Sequence, residues 1–325
     1  MIAAVTGATG FIGRALALRL AASGTRVLAL VRDDARAGDL ATTPGIELVR
    51  GDLRDPALLR NLTSRAGIVY HLAGLTSARS RGEFMAVNAE VTGALAAAAS
   101  CSPAPPKVVL VSSLSVAGPR TATRPAREDD PPAPVNSYGE SKLLGEDLLR
   151  RAAAGAKWTI VRPPWVYGPG DRATLALFRL AARGFFPSVR GGCMQISLVH
   201  VHDLVEALVL AGESAAADGR VYYATDGVVH TVAQLGQVLL AACGGGRALH
   251  VPGFVFRFMG LAGEAAAWLA RRPPLLGRDK ACEGLQPGWV CDDARIRAEL
   301  GYRSRVGLET GVVETLAWYR NQRWL

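Results

Sequence analysis

The sequence predicts an α/β fold, a doubly wound parallel sheet followed by a smaller, mixed C-terminal domain. Three observations predict it. Short apolar runs alternate with helical segments, a glycine-rich turn (Thr6 to Gly13) joins the first run to the first helix, and the alternation becomes irregular beyond Pro163. We therefore predict a first domain over residues 1–170 and a second over 171–325, with some segments of the second returning to the sheet.

Each element is predicted from its own pattern. Strands are expected where short apolar runs are bounded by turn residues, and helices where apolar residues recur with helical spacing. The predicted strands are 2–5, 26–31, 46–49, 68–71, 108–111, 159–161 and 196–201. The predicted helices are 11–22 (ended by Gly24), 83–99, about 137–153, 174–183 and 204–211. The Pro-rich and charged segment 119–136 is predicted to be a surface loop.

Composition indicates a soluble globular protein. Half of the 325 residues are hydrophobic and a fifth are charged, enough to bury a sizeable core. The net charge of +9 raises the question of nucleic acid, but the basic residues are scattered, with no run of about five or more. We therefore expect no nucleic-acid partner. An anionic cofactor or a peripheral membrane contact accounts for the charge equally well.

The cysteines and the N-terminus predict a cytoplasmic location. Five cysteines, an odd number without a CxxC motif, indicate reduced thiols. Met1 leads directly into the first strand, so no secretory signal is expected. Nor is there an apolar run long enough to span a bilayer.

The glycine-rich turn predicts a dinucleotide site. Gly7 permits the tight turn, Gly10 lets the backbone approach a pyrophosphate, and Gly13 lets the helix pack closely on the strand. The free N–H groups and positive dipole of the helix N-terminus favour phosphate. We expect the side chains and backbone between these glycines to contribute to the same site. The residues concerned are Thr9, Phe11 and Ile12.

Three polar residues are predicted to carry the chemistry. Tyr138 and Lys142 lie four apart on a predicted helix and therefore on one face, and Ser113 follows the fifth strand. A tyrosine titrates near ~10, so a nearby ammonium would lower its pKa and make proton transfer easier. Ser113 would orient the substrate oxygen, whereas strand alternation places Ser112 on the opposite face. Without the glycine turn, an exposed Tyr and Lys on an amphipathic helix would be the ordinary interpretation.

The pattern resembles the short-chain dehydrogenase/reductase family, in its extended epimerase/dehydratase-like branch. The turn reads GxxGxxG, and the remaining matches follow in order along residues 1 to about 210. They are Gly51-Asp52-Leu53, His71-Leu72-Ala73-Gly74, Asn88, Ser113, Tyr138, Lys142 and the segment from Arg162 through Pro163, Trp165 and Val166 to Gly170. The fold this resemblance implies is the Rossmann fold.

The resemblance also implies roles. Asp52 and Leu53 would lie around the adenine, and Leu72, Ala73, Gly74 and Pro163 beside the cofactor. Asn88 would either bridge the Tyr and Lys region through water or serve as a buried packing amide. His200 and His202 would mark a strand entering a helix, with no metal expected. A homodimer is implied as well.

The end of the second strand bears on the choice of cofactor. An acidic residue there would bind the ribose 2′-hydroxyl of NAD, whereas Arg32 suits the 2′-phosphate of NADP. Asp33 and Asp34 follow immediately. NADP is therefore predicted, with NAD as the alternative.

The substrate is predicted from one residue that differs from the family pattern and from one apolar stretch. Sugar-nucleotide members of the family commonly place an Arg where this chain has Ile196, which argues against such a substrate, although Arg190 is close enough in the sequence to take its place. Trp165, Val166 and Ile196 are expected to contact a small-molecule substrate. The stretch 251–269, followed by Arg271 and Arg272, resembles a helix of 3β-hydroxysteroid-dehydrogenase-like and dihydroflavonol-reductase-like members. It is an apolar wall of the substrate site, an interfacial membrane contact or an internal packing helix.

Three functions follow from these patterns. The first is an NADP(H)-dependent oxidoreductase acting on a hydrophobic ketone or alcohol, with Tyr138 as proton donor or acceptor. The second is a sugar-nucleotide epimerase or dehydratase, which uses the same three residues for a transient oxidation. The third is a dinucleotide-binding sensor without catalysis.

Overall fold

The computed structural model describes residues 1–152, 156–270 and 277–325. Its central feature is a seven-stranded, fully parallel sheet in the order β10-β6-β5-β4-β1-β2-β3. The strands of this sheet are β1 (Ile2–Thr6), β2 (Arg26–Val31), β3 (Ile46–Arg50), β4 (Ile68–His71), β5 (Lys107–Val111), β6 (Trp158–Val161) and β10 (Arg220–Tyr222). The order reverses between β1 and β4, where doubly wound sheets open a ligand crevice at the carboxyl ends of their strands. The predicted fold class is confirmed.

Helices cover both faces of the sheet because its central strands β1, β2, β4, β5 and β6 are buried on both sides. The helices are α1 (Phe11–Ala22), α2 (Pro56–Arg65), α3 (Arg81–Phe84), α4 (Val91–Ser100), α5 (Ser137–Ala152), α6 (Leu175–Ala181), α7 (Val201–Glu213), α8 (Val232–Ala242), α9 (Gly253–Leu269), α10 (Arg278–Gly284), α11 (Ala294–Leu300) and α12 (Leu308–Asn321). The largest core cluster joins α1 and α7 to one face of the sheet. A second and a third cluster place α2, α4 and α5 on the other face.

The remaining strands form small sheets beside the main one. They are β7 (Trp165–Tyr167), β8 (Phe185–Val189), β9 (Gln195–His200), β11 (Val229–Thr231), β12 (Arg247–Val251) and β13 (Gly288–Trp289). Strand β9 pairs with β7, β11 and β13, and β8 pairs with β12. Their core is built from α6, α8 and α12 packed on β9. Because α7 and β10 lie with the main sheet, the chain crosses back after residue 170; the division into two domains stays a prediction.

The structure adds elements that the apolar pattern did not predict. Strand β10 has only three residues, and α2 begins at Pro56 after Asp55, whose carboxylate accepts a hydrogen bond from the Ala57 N–H (2.8 Å). The predicted helix 83–99 is divided into α3, a π-helical turn at Met85–Glu90, and α4. Ala153, at the predicted end of the helix carrying Tyr138, is outside the described residues.

Candidate active site

The glycine-rich turn packs so tightly that side chains are excluded. Gly7 has a φ of +69°, and a Cβ on it would lie 2.8 Å from the Ala73 nitrogen. A Cβ on Gly13 would lie 2.2 Å from the Gly7 carbonyl oxygen, well inside van der Waals contact. Gly10 precedes α1 without any side-chain cap, and the first turn of α1 carries no acidic residue. The Gly10 N–H donates to the Gly7 carbonyl (2.9 Å), so the N–H groups that the first turn of α1 offers to an anion are those of Phe11 and Ile12.

A hydrogen-bonded chain of buried side chains fixes the end of β4 beside the turn. The Nδ1 of His71 lies 2.7 Å from the Thr6 hydroxyl, and its Nε2 lies 3.1 Å from the Thr92 hydroxyl. Burial lowers the pKa of His71 to about 3, so this imidazole is neutral. The Thr6 hydroxyl also accepts a hydrogen bond from the Ala73 N–H (3.2 Å). The segment from Leu72 to Gly74 is thereby held at the crevice.

Asn88 fastens that segment to α5. Its side-chain oxygen accepts from the Leu75 N–H (2.7 Å), and its amide donates to the Leu75 carbonyl (3.0 Å) and to the Ser141 hydroxyl (3.0 Å). Asn88 is buried in the π-helical turn, a distortion that is common at functional sites. A Cβ on Gly74 would lie 3.0 Å from the Asn88 oxygen and 3.3 Å from the Lys142 ammonium. Asn88 is thus a buried structural amide that borders the site.

The structure brings Ser113 and Tyr138 together. The Ser113 side chain lies near enough to the Tyr138 phenol to lower its pKa, and the Ser113 hydroxyl accepts a hydrogen bond from the Ser115 N–H (3.1 Å) at the start of a short 3-10 turn. The Tyr138 ring lies 5.9 Å from the Phe84 ring, centroid to centroid. Burial raises the pKa of Tyr138 to about 12, against the smaller lowering by Ser113. We expected Lys142 to lower this pKa, but in this structure desolvation dominates and the phenol is protonated at neutral pH.

Lys142 is buried on α5, one turn after Tyr138. Its ammonium donates a hydrogen bond to the Val111 carbonyl at the end of β5 (2.9 Å). Burial lowers the pKa of Lys142 to about 8, although the charge of Glu146 opposes this. Burying a lysine so that its pKa falls lowers the free energy of unfolding, and perturbed pKa values of this kind concentrate at functional sites.

A buried ion pair supports α5 from behind. The Arg162 guanidinium donates two hydrogen bonds to the Glu146 carboxylate (2.8 and 2.7 Å), and both side chains are almost fully enclosed. The Ser112 hydroxyl donates to the same carboxylate (2.6 Å). Ser112 therefore points away from the crevice, opposite to Ser113.

Two residues at this site were missed by sequence reasoning. Asn136 accepts a hydrogen bond from the Gly139 N–H (2.7 Å) and so caps the start of α5, and its amide donates to the Glu283 carboxylate from α10. The charge of Glu283 also contributes to raising the pKa of Tyr138, and burial raises the pKa of Glu283 itself. A polar residue before a helix is a recognisable signal for Asn136. Nothing in the local sequence marks Glu283.

The end of β2 presents Arg32 to solvent. The two acidic residues that follow Arg32 already have partners, since Asp34 pairs with Arg50 and Asp33 caps a short helix by accepting from the Ala35 N–H. Asp52 is bound to Arg54, whose hydrogen bonds, with a smaller contribution from Arg32, lower the pKa of Asp52 to about 2. Leu53 is half-buried against the core.

The residues predicted to contact substrate do not share one environment. Trp165 and Val166 on β7 are half-buried, and Pro163 is buried with its carbonyl accepting from the Leu114 N–H. Ile196 is 2% exposed and lies in the core formed with α8 and α12. Its neighbour Gln195 instead lines a cavity of about 340 Å³. The other residues lining this cavity are Thr121, Thr123, Val189, Cys193, Met194, Gly284, Gln286 and Pro287.

This cavity does not include the proposed reactive residues. None of Ser113, Tyr138 and Lys142 lines it, and its connection to α10 is Gly284, which follows Glu283 directly.

His200 and His202 lie close to a carboxylate that the sequence did not indicate. The Nε2 of His200 is 3.8 Å and the Nδ1 of His202 3.4 Å from oxygens of Glu314 on α12. One ligand atom from each of the three residues lies within 4.8 Å of the others. Burial lowers the pKa of His200 to about 4. The sequence leads us to expect no metal here, and this stays a prediction.

The fold and the crevice define a dinucleotide-dependent enzyme of the extended short-chain dehydrogenase/reductase type. The model of the NAD dependent epimerase/dehydratase family matches residues 3–224, and the chain belongs to this family.

Two relatives and one solved structure illustrate the range of similarity. The chain is 35% identical over 330 aligned positions to the ceramide reductase of Caulobacter vibrioides, covering 100% of this chain and 96% of that protein. It is 30% identical to the 4-hydroxy-2-methyl-3-oxo-4-farnesyl-3,4-dihydroquinoline-1-oxide ketoreductase of Stigmatella aurantiaca, covering 95% and 93%. The structure of MoeE5 in complex with UDP-glucuronic acid and NAD is 26% identical, with a TM-score of 0.78 and coverage of 99% and 100%.

Proposed function

We propose that this protein is an NADP(H)-dependent reductase that interconverts a ketone and a secondary alcohol on a lipid-like substrate. The proximity of Ser113 to the Tyr138 phenol, with Lys142 buried one helical turn further along α5, carries the proposal. A protonated phenol is suited to act as an acid, so we assign the reduction direction to the enzyme. The alternative directions and substrates are tested below.

The crevice fits a nicotinamide dinucleotide. Uncapped N–H groups follow Gly10, and the position a side chain on Gly74 would occupy lies directly before the Lys142 ammonium. The glycine turn would hold the pyrophosphate, Asp52 and Leu53 the adenine, and Lys142 the ribose hydroxyls. Arg32 supports NADP, because this exposed guanidinium would neutralise a 2′-phosphate. When bound, the nicotinamide supplies or accepts the hydride.

The chain's own residues manage the proton. Tyr138 donates its phenolic proton to the carbonyl oxygen as the carbon is reduced, and Ser113 donates a hydrogen bond that orients the same oxygen. Lys142, one helical turn after Tyr138 and buried, would stabilise the phenolate that remains. Asn88 and the His71 chain keep the cofactor segment Leu72–Gly74 in place.

Three observations support a hydrophobic substrate. Ile196, at the position of the sugar-nucleotide arginine, is in the core. Helix α9 is strongly apolar. The relatives at 35% and 30% identity are named as reductases of ceramide and of a farnesylated quinoline oxide. A long-chain ketone is therefore the substrate class that we propose.

A second candidate is a sugar-nucleotide epimerase or dehydratase. It is favoured by the likeness to MoeE5, which was solved with UDP-glucuronic acid and NAD. Such an enzyme would oxidise and re-reduce its substrate, so its cofactor would be regenerated in each turnover. Dinucleotide retained through purification, with no net NADPH consumption by ketones, would support it.

The experiment compares NADPH consumption by wild type and Tyr138→Phe against long-chain ketones, flavonoid-like ketones and sugar nucleotides. We expect wild-type turnover with a lipid ketone, and a loss of about a hundredfold or more in Tyr138→Phe with NADPH binding retained. Tyr302→Phe is the matched control, because its buried hydroxyl donates to the Thr225 carbonyl away from Ser113. Equal turnover in wild type and Tyr138→Phe would refute the proposal. Binding of NADPH without turnover of any substrate would favour a sensor.

A further inference from the structure

Helix α9 exposes an apolar face to solvent. Phe254, Phe258 and Leu261 are 75, 69 and 50% exposed, and Met259 beside them is 47% exposed. Spacings of four and three residues place the first three on one side of the helix. With 17 residues, α9 is about 25 Å long, so this face is larger than the scattered exposed side chains of an ordinary surface.

The opposite face of α9 already has its partner. A Cβ on Gly260 would lie 2.8 Å from the Ala281 side chain, and one on Gly284 would lie 2.7 Å from the Phe256 ring. Such close approach means that α9 and α10 pack directly against each other. The outward apolar face is therefore not needed for the packing between these two helices.

An exposed positive charge lies beside this face, because Arg257 is exposed next to Phe258 on α9. The acidic residue of α9, Glu264, is paired with Arg278 on α10. On α10, Lys280 is exposed whereas Asp279 and Glu283 are half-buried. An apolar face with an exposed cation beside it is suited to a surface that offers both hydrocarbon and anions.

We propose that this face of α9 docks on an anionic phospholipid bilayer, lying in the interface rather than crossing it. Within residues 1–152, 156–270 and 277–325, no helix has the length and apolar character to span a membrane. Phe254, Phe258 and Leu261 enter the acyl boundary while Arg257 meets lipid phosphates. The inference rests on the lipid-like substrate proposed above. It adds that the enzyme meets its substrate at the bilayer surface, because α10 connects the docked helix to Glu283 and to the 340 Å³ cavity.

The test is flotation of the purified full-length protein with vesicles of phosphatidylcholine containing about 30% phosphatidylglycerol, compared with pure phosphatidylcholine. We expect wild type to float with the anionic vesicles. The Phe254→Ser/Phe258→Ser variant is expected to bind about tenfold or more weakly, since two large apolar groups are removed. Val313→Ser is the matched control, because Val313 is 57% exposed on α12 and should not contribute. Arg257→Glu should weaken binding to anionic vesicles only.

Activity separates this inference from the proposed function. With a water-soluble ketone, the double variant should turn over like wild type, and with a long-chain ketone in vesicles its KM should rise. Wild type that reduces ketones but does not bind vesicles would overturn the docking proposal alone. A dimer that the double variant loses, without any vesicle binding, would assign the face to a second copy and overturn it too. Absence of all ketone turnover alongside normal flotation would count against the proposed function alone.

Discussion

The side-chain amide of Asn136 donates a hydrogen bond to the carboxylate of Glu283, 147 residues further along the chain. Asn136 caps the helix that carries Tyr138, so this contact joins α10 directly to the catalytic helix. It also places a negative charge near the phenol, where it disfavours the phenolate. The C-terminal part of the chain therefore influences the acid on which the proposed chemistry depends.

The first prediction concerns the charge of Glu283. Glu283→Gln keeps an oxygen that accepts from Asn136 but removes the charge, so the pKa of Tyr138 should fall. Alcohol oxidation needs the phenolate, and the rising limb of log kcat/KM against pH should therefore move to lower pH. Glu264→Gln on α9 is the control, because Glu264 pairs with Arg278 and does not act on Tyr138, and it should leave the profile in place. A shift to higher pH, or none, would show that Glu283 is only structural.

The second prediction uses the adjacent serines. Ser113→Ala should lower kcat/KM by about a hundredfold or more, because it removes the donor that orients the carbonyl oxygen. Ser112→Ala should instead lower the free energy of unfolding by about 1–3 kcal/mol, since the buried Glu146 carboxylate loses a hydrogen bond. Its turnover per folded molecule should stay close to wild type. Steady-state kinetics and urea unfolding of both variants would reveal the opposite pattern if the faces were reversed.

The main sheet was predictable because most of its longer strands are buried apolar runs bounded by turn residues. The glycine turn was predictable from its own spacing, and Gly13 does meet the backbone of that turn, whereas Gly7 meets Leu72 and Ala73 after the distant strand β4. Strand β10 was missed because three residues show no periodicity. The exact helix boundaries around Asn88 were missed because a π-helical turn changes spacing by one residue without changing composition.

Only part of the candidate site could likewise be predicted from the sequence. Ser113, Tyr138 and Lys142 follow strand and helix ends that the sequence marks, so their meeting could be anticipated. The contact of Glu283 with Asn136 depends on packing between distant elements, which no local pattern encodes. Ile196 shows a third limit, because alternation along a strand tells which residues share a face but not which face meets the cavity.

The third prediction tests cofactor choice at Arg32. Arg32→Ala should raise the KM for NADPH about 10- to 100-fold, because charge-assisted hydrogen bonds to the 2′-phosphate are lost. The KM for NADH should change little. Arg220→Ala is the control, since it removes the same charge from an exposed residue at the opposite edge of the sheet. Equal effects on both cofactors would place Arg32 outside the 2′-phosphate site and favour NAD.

The last prediction concerns the two buried lysines, which differ in their partners. Lys107 forms an ion pair with Asp218 (2.8 Å) and donates to the Ser214 carbonyl (2.7 Å). Lys142 has only the Val111 carbonyl among the hydrogen bonds of the described residues. Burial therefore holds the pKa of Lys142 at about 8, below the ordinary 10.5. The cofactor-free wild type should therefore be less stable than a variant without this buried charge.

The pH dependence of stability follows from that difference. Between about pH 8 and pH 10.5, the unfolded chain binds more protons at Lys142 than the folded protein, so the contribution of this residue to stability rises with pH. Below pH 8, Lys142 is charged in both the folded and the unfolded chain, so its burial lowers the free energy of unfolding by the full amount. Lys142→Met should therefore be more stable than wild type at pH 7, by roughly 1–3 kcal/mol, and this gain should vanish near pH 10.5.

The kcat/KM of Lys142→Met should fall by about a hundredfold or more. Lys107→Met is the control for activity, and its kcat/KM should stay close to wild type because Lys107 pairs with Asp218 away from the reactive groups. Burial lowers the pKa of Lys107 as well, against the opposing effect of Asp218, so its change in stability with pH should have the same sign as that of Lys142→Met. Urea unfolding of the two variants at pH 7 and 10 measures both effects, and a destabilised Lys142→Met at pH 7 would show that Lys142 supports the fold rather than the chemistry.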